Sequence, residues 1–115
     1  MHFAEDQVGS PVYIQALRDG MIVTMSGSFS LPVILTPQGG SKASPMSLES
    51  IEHLITLAPE LILFGTGDTQ VFPAPALLAP LYQKRIGFEV MNTRAACRTF
   101  NLLIAEDRNV MGVFF

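Results

Sequence analysis

Short apolar runs alternate with polar breaks along the chain, and the period of each run predicts its element. "VYIQALRDGMIVTMS" reads as two strands, 12–18 and 21–26, joined at Asp19-Gly20. Asp-Gly is favoured in a two-residue type I′ hairpin because both positions take positive φ. "SGSFS" then reads as a turn and "PVILT", 32–36, as a short β-branched strand. "PQGGSKASPM", 37–46, is a loop by composition. Leu48, Ile51, Leu54, Ile55 and Ala58 recur at helical spacing behind Ser47, a good N-cap, and predict a helix over 48–58 that Pro59 ends. "LILF", 61–64, is apolar throughout, the pattern of a strand covered on both faces.

"GTGD" ends that strand, and "TQVF" could add a short extended piece. Pro75 suits the first turn of a second helix in "PAPALLAPLYQKR", where Pro80 predicts a kink or a broken turn. "GFEVM", 87–91, is the next strand; "NTRAACRTFN" opens a third helix reaching about 105; "EDRN" turns; "VMGVFF" is a final strand. The resulting order is β-β-β-α-β-(β)-α-β-α-β. Strand, helix, strand over 61–91 is a βαβ unit, whose strands should run parallel. That puts "GTGD" and "NTRAAC" on one carboxyl edge of the sheet, where open α/β sheets bind their ligands.

Composition changes the picture in one respect. Of 115 residues, 49% are apolar and only 15% charged. One domain over 1–115 is the simplest organisation, with 1–10 a loosely ordered tail. Such sparse charge implies that a protein partner, a second copy or a ligand covers part of the surface. A net charge of −3 with no basic run argues against nucleic acid. No window approaches the roughly 20 apolar residues of a membrane span, and "MHFAEDQ" lacks the apolar region of a signal peptide. The single cysteine excludes an intramolecular disulfide and a Cys-rich zinc site, and fits a reducing, cytoplasmic setting.

The candidate chemistry lies on the predicted edge. Asn92 or Thr93 can cap the third helix, whose first N–H groups and positive dipole end then face solvent. Arg94 and Arg98, four apart, share a face and would attract a carboxylate or phosphate. Against this, both can be plain surface charge or pair with Asp68 or Glu89. Cys97 sits where a helix start lowers a thiol's pKa, yet with Ala96, Phe100, Leu103 and Ile104 it forms an apolar stripe opposite Arg94, Arg98 and Asn101. On that geometry it is core. Gly65, Thr66, Gly67 and Asp68 resemble the start of a nucleotide-binding loop, but the third glycine of G-x-G-x-x-G and the following helix are missing. A tight turn is the plainer reading, with Asp68 bonding its own backbone. "PQGGSK" lacks the Walker pattern; it could act as a lid over the same edge if the strand before it ran parallel to the others. No G-x-S-x-G elbow occurs. His2, in the tail, and His53, near Glu49 on a polar helix face, make no metal site. No cofactor is expected.

"LILFGTGDTQVFPAP" with "IGFEVMNTRAACRTFNLLIAEDRNV" resembles the Mth-like family of small domains, which includes a mitochondrial respiratory complex I assembly factor and an adipogenesis-associated protein. The likeness spans nearly the whole chain. It implies a compact three-layer α/β domain with a mixed, partly parallel central sheet and about three helices. The family motif falls on Gly65, Thr66, Gly67, Phe72, Pro73, Thr93, Ala96, Cys97, Arg98, Thr99 and Asn101. The family brings no catalytic set. Arg94 departs from its pattern, in which a small residue or proline is usual, so an anion cradle would rest more on Arg98. The missing acid–base machinery favours a non-catalytic, assembly-factor-like protein-binding module. The alternative is a small-molecule or anion binder, or an unrecognised enzyme, with a cleft between 65–68 and 92–98 and Asp68 as its acid or base. A redox role for Cys97 is the third reading.

Overall fold

The computed structural model describes residues 10–115, so the tail up to residue 9, His2 included, lies outside the described residues. Strands β1 (Ile14–Arg18), β2 (Met21–Thr24) and β3 (Gly27–Ser30) form an antiparallel meander. Asp19 and Gly20 close its first hairpin with φ of 54° and 70°, as a type I′ turn requires. The central sheet comprises β4 (Val33–Thr36), β5 (Gly39–Lys42), β6 (Leu61–Gly65), β7 (Gly87–Met91) and β8 (Val110–Phe114), in the order β5-β4-β8-β6-β7. β6 runs parallel to both β7 and β8, whereas β4 is antiparallel to β8 and β5, so the sheet is mixed.

Helices α1 (Leu48–Thr56), α2 (Pro75–Gln83) and α3 (Thr93–Ala105) complete three layers. Alternation along the strands supplies two cores. Val33, Leu35, Leu63, Val110 and Phe114 face α3 and the meander, meeting Ile14, Ile22, Ala96, Cys97 and Phe100. Ile34, Ile62, Phe64, Met111 and Val113 face α1 and α2, meeting Ile51, Leu54, Leu78 and Leu81. α1 starts on a capping box: the Ser50 N–H donates to Ser47 Oγ (3.0 Å) and the Ser47 N–H to Ser50 Oγ (2.8 Å). α2 continues through Pro80, whose ring removes the bond that would reach the Ala76 carbonyl.

Several expectations need correction. "SGSFS" is not a turn but contains β3, and 37–46 is not wholly loop, because Gly39–Lys42 is β5. Glycine and serine there imitate a loop, but at Gly40 small size is a packing requirement: a Cβ would come within 2.7 Å of the Phe29 ring. "TQVF" forms no strand. The apolar face of α1 is narrower than expected, with Ile51 and Leu54 buried but Leu48 exposed; Ala58, exposed, lies past the helix end at φ 52°. Asn101, placed on the polar face of α3, is buried instead. Its Nδ2 donates to the Ile14 carbonyl (2.9 Å) and its Oδ1 accepts from the Ile14 N–H (2.8 Å), which ties β1 to the helix.

Candidate functional site

β6 and β7 end level, with Gly65 opposite Met91, and β8 ends on the other side of β6, with Phe114 opposite Gly65. The "GTGD" turn and the start of α3 therefore meet on one edge, as the βαβ unit predicted. They meet in direct contact. The Gly67 N–H donates to Thr93 Oγ1 (2.7 Å) and the Thr93 N–H to the Gly67 carbonyl (2.8 Å). Thr93 Oγ1 donates in turn to the Phe115 carbonyl (2.9 Å), and the Phe115 N–H to that of Gly65 (2.8 Å). A Cβ on Gly65 would lie 3.0 Å from Thr93 Cα and 3.1 Å from Ala96 Cβ, so glycine permits this close approach. Gly67, at φ 99°, makes the turn. Asn92, not Thr93, is the N-cap: its Oδ1 accepts from the Ala95 N–H (2.8 Å).

Asp68, Arg94 and Arg98 project from this junction and are exposed. Neither arginine pairs with Asp68 or Glu89; the ion pair among the described residues is Arg108 Nη2 to Glu60 Oε2 at 3.1 Å. Arg108 holds the Glu60 carboxyl below its ordinary value through that hydrogen bond. Cys97 is 6% exposed and packs among Ala96, Phe100 and Phe114. Burial pushes its thiol up to about 12, outweighing the lowering by Arg94 and Arg98. A thiol so placed is neither an activated nucleophile nor a ready redox centre.

The other side of the edge is finished differently. Thr66 Oγ1 accepts from the Val71 N–H (2.9 Å) and donates to the Thr69 carbonyl (2.7 Å), folding 66–71 into a closed loop. Gln70 Nε2 donates to the Val90 carbonyl (2.8 Å) and anchors that loop to the sheet edge. Thus held, the loop presents Val71 and Phe72 at 58% and 67% exposure. Beside them runs a shallow apolar groove lined by Pro45, Met46, Thr66, Val71, Pro73, Leu77 and Phe115. Hydrophobic periodicity missed Val71, Met46 and Phe115, because none belongs to a regular amphipathic run. The readable signal was the non-periodic "VFP" just past the glycine turn, which the family likeness had marked at Phe72 and Pro73.

A family model described as "protein of unknown function (DUF498/DUF598)" matches residues 13–115. The chain belongs to this family. Among its relatives, a Francisella tularensis subsp. holarctica protein named "13 kDa major membrane protein" is 27% identical over 117 residues, covering 96% of this chain and 95% of that protein. The Xenopus tropicalis NADH dehydrogenase (ubiquinone) 1 alpha subcomplex assembly factor 3 is 37% identical over 65 residues, 55% of this chain but only 36% of the assembly factor. Among solved structures, a Bartonella henselae protein described as an outer membrane protein superposes with a TM-score of 0.81 at 30% identity, covering 92% of this chain and 95% of that one. A Bordetella pertussis Mth938-like domain gives 0.74 at 25% identity, over 93% and 87%. The Mth-like resemblance and its three-layer α/β fold therefore hold. No described helix is long and apolar enough to cross a membrane.

Much of the DUF498/DUF598 motif in this chain has a packing role. Gly65 and Ala96 allow α3 to approach β6, Thr93 joins the turn to the C-terminus, Cys97 fills core, and Asn101 holds β1. Phe72 and Arg98 are the motif positions whose side chains face outward.

Proposed function

We propose that this protein is a non-catalytic docking module that binds a protein partner in the manner of an assembly factor. The observation that carries this reading is the hydrogen-bonded loop that holds Val71 and Phe72 exposed beside an apolar groove. An apolar side chain carried on a backbone that is already held costs less ordering entropy on binding, and such preorganised anchors dominate interfaces. The complex I assembly factors among its relatives support a protein partner. The internal use of the "GTGD" backbone and the buried thiol of Cys97 support a role without chemistry. We assign it to the cytoplasm, a setting that fits a lone, unpaired cysteine.

The test is crosslinked affinity capture from the host extract, membrane fraction included, with wild-type protein, Phe72→Ser and Arg98→Ala side by side. A partner held by wild type and Arg98→Ala but lost by Phe72→Ser is the expected result. Retention by Phe72→Ser would sink the assignment of the surface.

One observation favours a second reading, an anion site formed by Arg94 and Arg98 with Gly65, Thr66, Gly67, Asp68, Asn92 and Thr93 around it. Both guanidinium groups are exposed at the positive end of α3 and make no ion pair among the described residues. Titration with phosphate or citrate would shift the amide signals of 92–98 on this reading, and unmoved signals at millimolar anion would end it.

A further inference from the structure

A second concavity, of about 270 Å³, lies under α1 on the other face of the sheet from α3, and none of the residues 65–73 or 92–98 line it. Topology explains its place. β4 runs antiparallel to β8, so the turn after β4 sits on the far edge and cannot cover "GTGD" as a lid would. β5 then returns: Val33 is level with both Lys42 and Phe114, and Phe114 is level with Gly65. Residues 42–46 thereby reach the carboxyl edge from the opposite side and face α1.

Ile34, Leu54, Phe64 and Val113 form an apolar floor, and Met46 and Phe115 separate the cavity from the groove beside Phe72. Lys42 from β5 and Glu49 and His53 from α1 line its exposed rim. Ala43, Ser44, Ser47 and Ser50, all small, leave the room between strand and helix. An apolar floor with a few polar groups at its mouth is the usual make-up of a small-ligand site, and the volume falls just below the ~300–1,000 Å³ that sites for drug-sized ligands span.

We propose that this cavity binds a small zwitterion with an apolar body, the chemical class of the apolar amino acids. The rim decides the head group. A simple carboxylate would meet Lys42 but face Glu49, and a simple amine would meet Glu49 but face Lys42. One head bearing both charges is complementary to both. His53, four residues after Glu49 on the same helix face, supplies a further polar partner. The floor offers no polar side chain, so it takes a branched or aromatic body and excludes a second charge. The size leaves no room for a nucleotide. The cavity takes no lining residue from 65–73, so Phe72→Ser should leave its binding unchanged.

The test is titration with L-leucine and L-phenylalanine, read by calorimetry and by methyl shifts of Leu54 and Val113, with 3-phenylpropionate and phenethylamine as partners lacking one charge. We expect saturable shifts with the amino acids and binding about tenfold weaker for each analogue, the loss of one charge-assisted bond. Lys42→Met and Glu49→Gln, both exposed and so compatible with the fold, should each weaken L-phenylalanine by about tenfold. Arg98→Ala should leave it unchanged. Absent shifts with both amino acids, an analogue that binds as tightly as L-phenylalanine, or full affinity in either rim variant would overturn the proposal.

Discussion

The two faces of the central sheet are built from the same alternating strands but closed in different ways. On the α3 face, the groups nearest the sheet are used up inside the chain. Thr93 bonds both Gly67 and Phe115, Asn101 bonds both backbone groups of Ile14, and Phe100 meets Phe114 edge to face at 5.8 Å. On the α1/α2 face the core is equally apolar, yet the layer stops short of the carboxyl edge and leaves Val71 and Phe72, a groove and a cavity. The glycines resembled a ligand-binding signal, but Gly65 and Gly67 serve the junction with α3. The apolar groove and the cavity lie on the other side, where the residues looked ordinary.

The largest loss of stability is expected at the centre of the closed face. Phe100→Ala should lower unfolding stability by about 3–5 kcal/mol, because the ring is fully buried and its truncation leaves a cavity in the core. Equilibrium urea unfolding would measure this, and a loss under ~1 kcal/mol would mean the face is loosely packed. Asn101→Ala should cost about 2–4 kcal/mol, since it strips partners from two backbone groups of a buried residue. Its distinguishing sign is faster amide exchange at Ile14 in particular.

Thr93→Val keeps the shape of the side chain and removes the hydroxyl that joins turn, helix and C-terminus. About 1–3 kcal/mol should be lost, with increased exchange at Gly67. Unchanged exchange there would show that the junction does not depend on the hydroxyl.

Cys97 sharpens the contrast through pH. Its folded thiol titrates at about 12, above the ordinary 9.0, so the unfolded chain ionises first. The stability tied to the neutral thiol is intact below about pH 9 and is lost as pH rises towards 12. Cys97→Ala should flatten that part of the alkaline stability profile, and alkylation of the native protein near neutral pH should be far slower than of the unfolded chain. Fast native alkylation would revive the redox reading.

The smallest effect on stability belongs to the open face. Phe72→Ser should change unfolding by less than ~0.5 kcal/mol, as an exposed side chain outside the core. If Phe72→Ser destabilises as strongly as Thr93→Val, the loop is part of the core and the two faces do not differ as described.

Local pattern alone carried much of the architecture. The Asp19-Gly20 hairpin, the three helices, the buried run of β6 and the parallel pairing of β6 with β7 follow from period, turn chemistry and crossover length, which act over a few residues. It also brought the glycine turn and the start of α3 to one edge. Only the tertiary structure decided that Gly27–Ser30 and Gly39–Lys42 are strands: the two pack together across the two sheets, where Phe29 leaves room only for glycine at Gly40. Likewise a polar residue on a helix is outward by pattern, and Asn101 turned inward because β1, 87 residues away, offered two backbone groups to bond. Burial and partnership are properties of residues brought together from across the chain, and no local period encodes them.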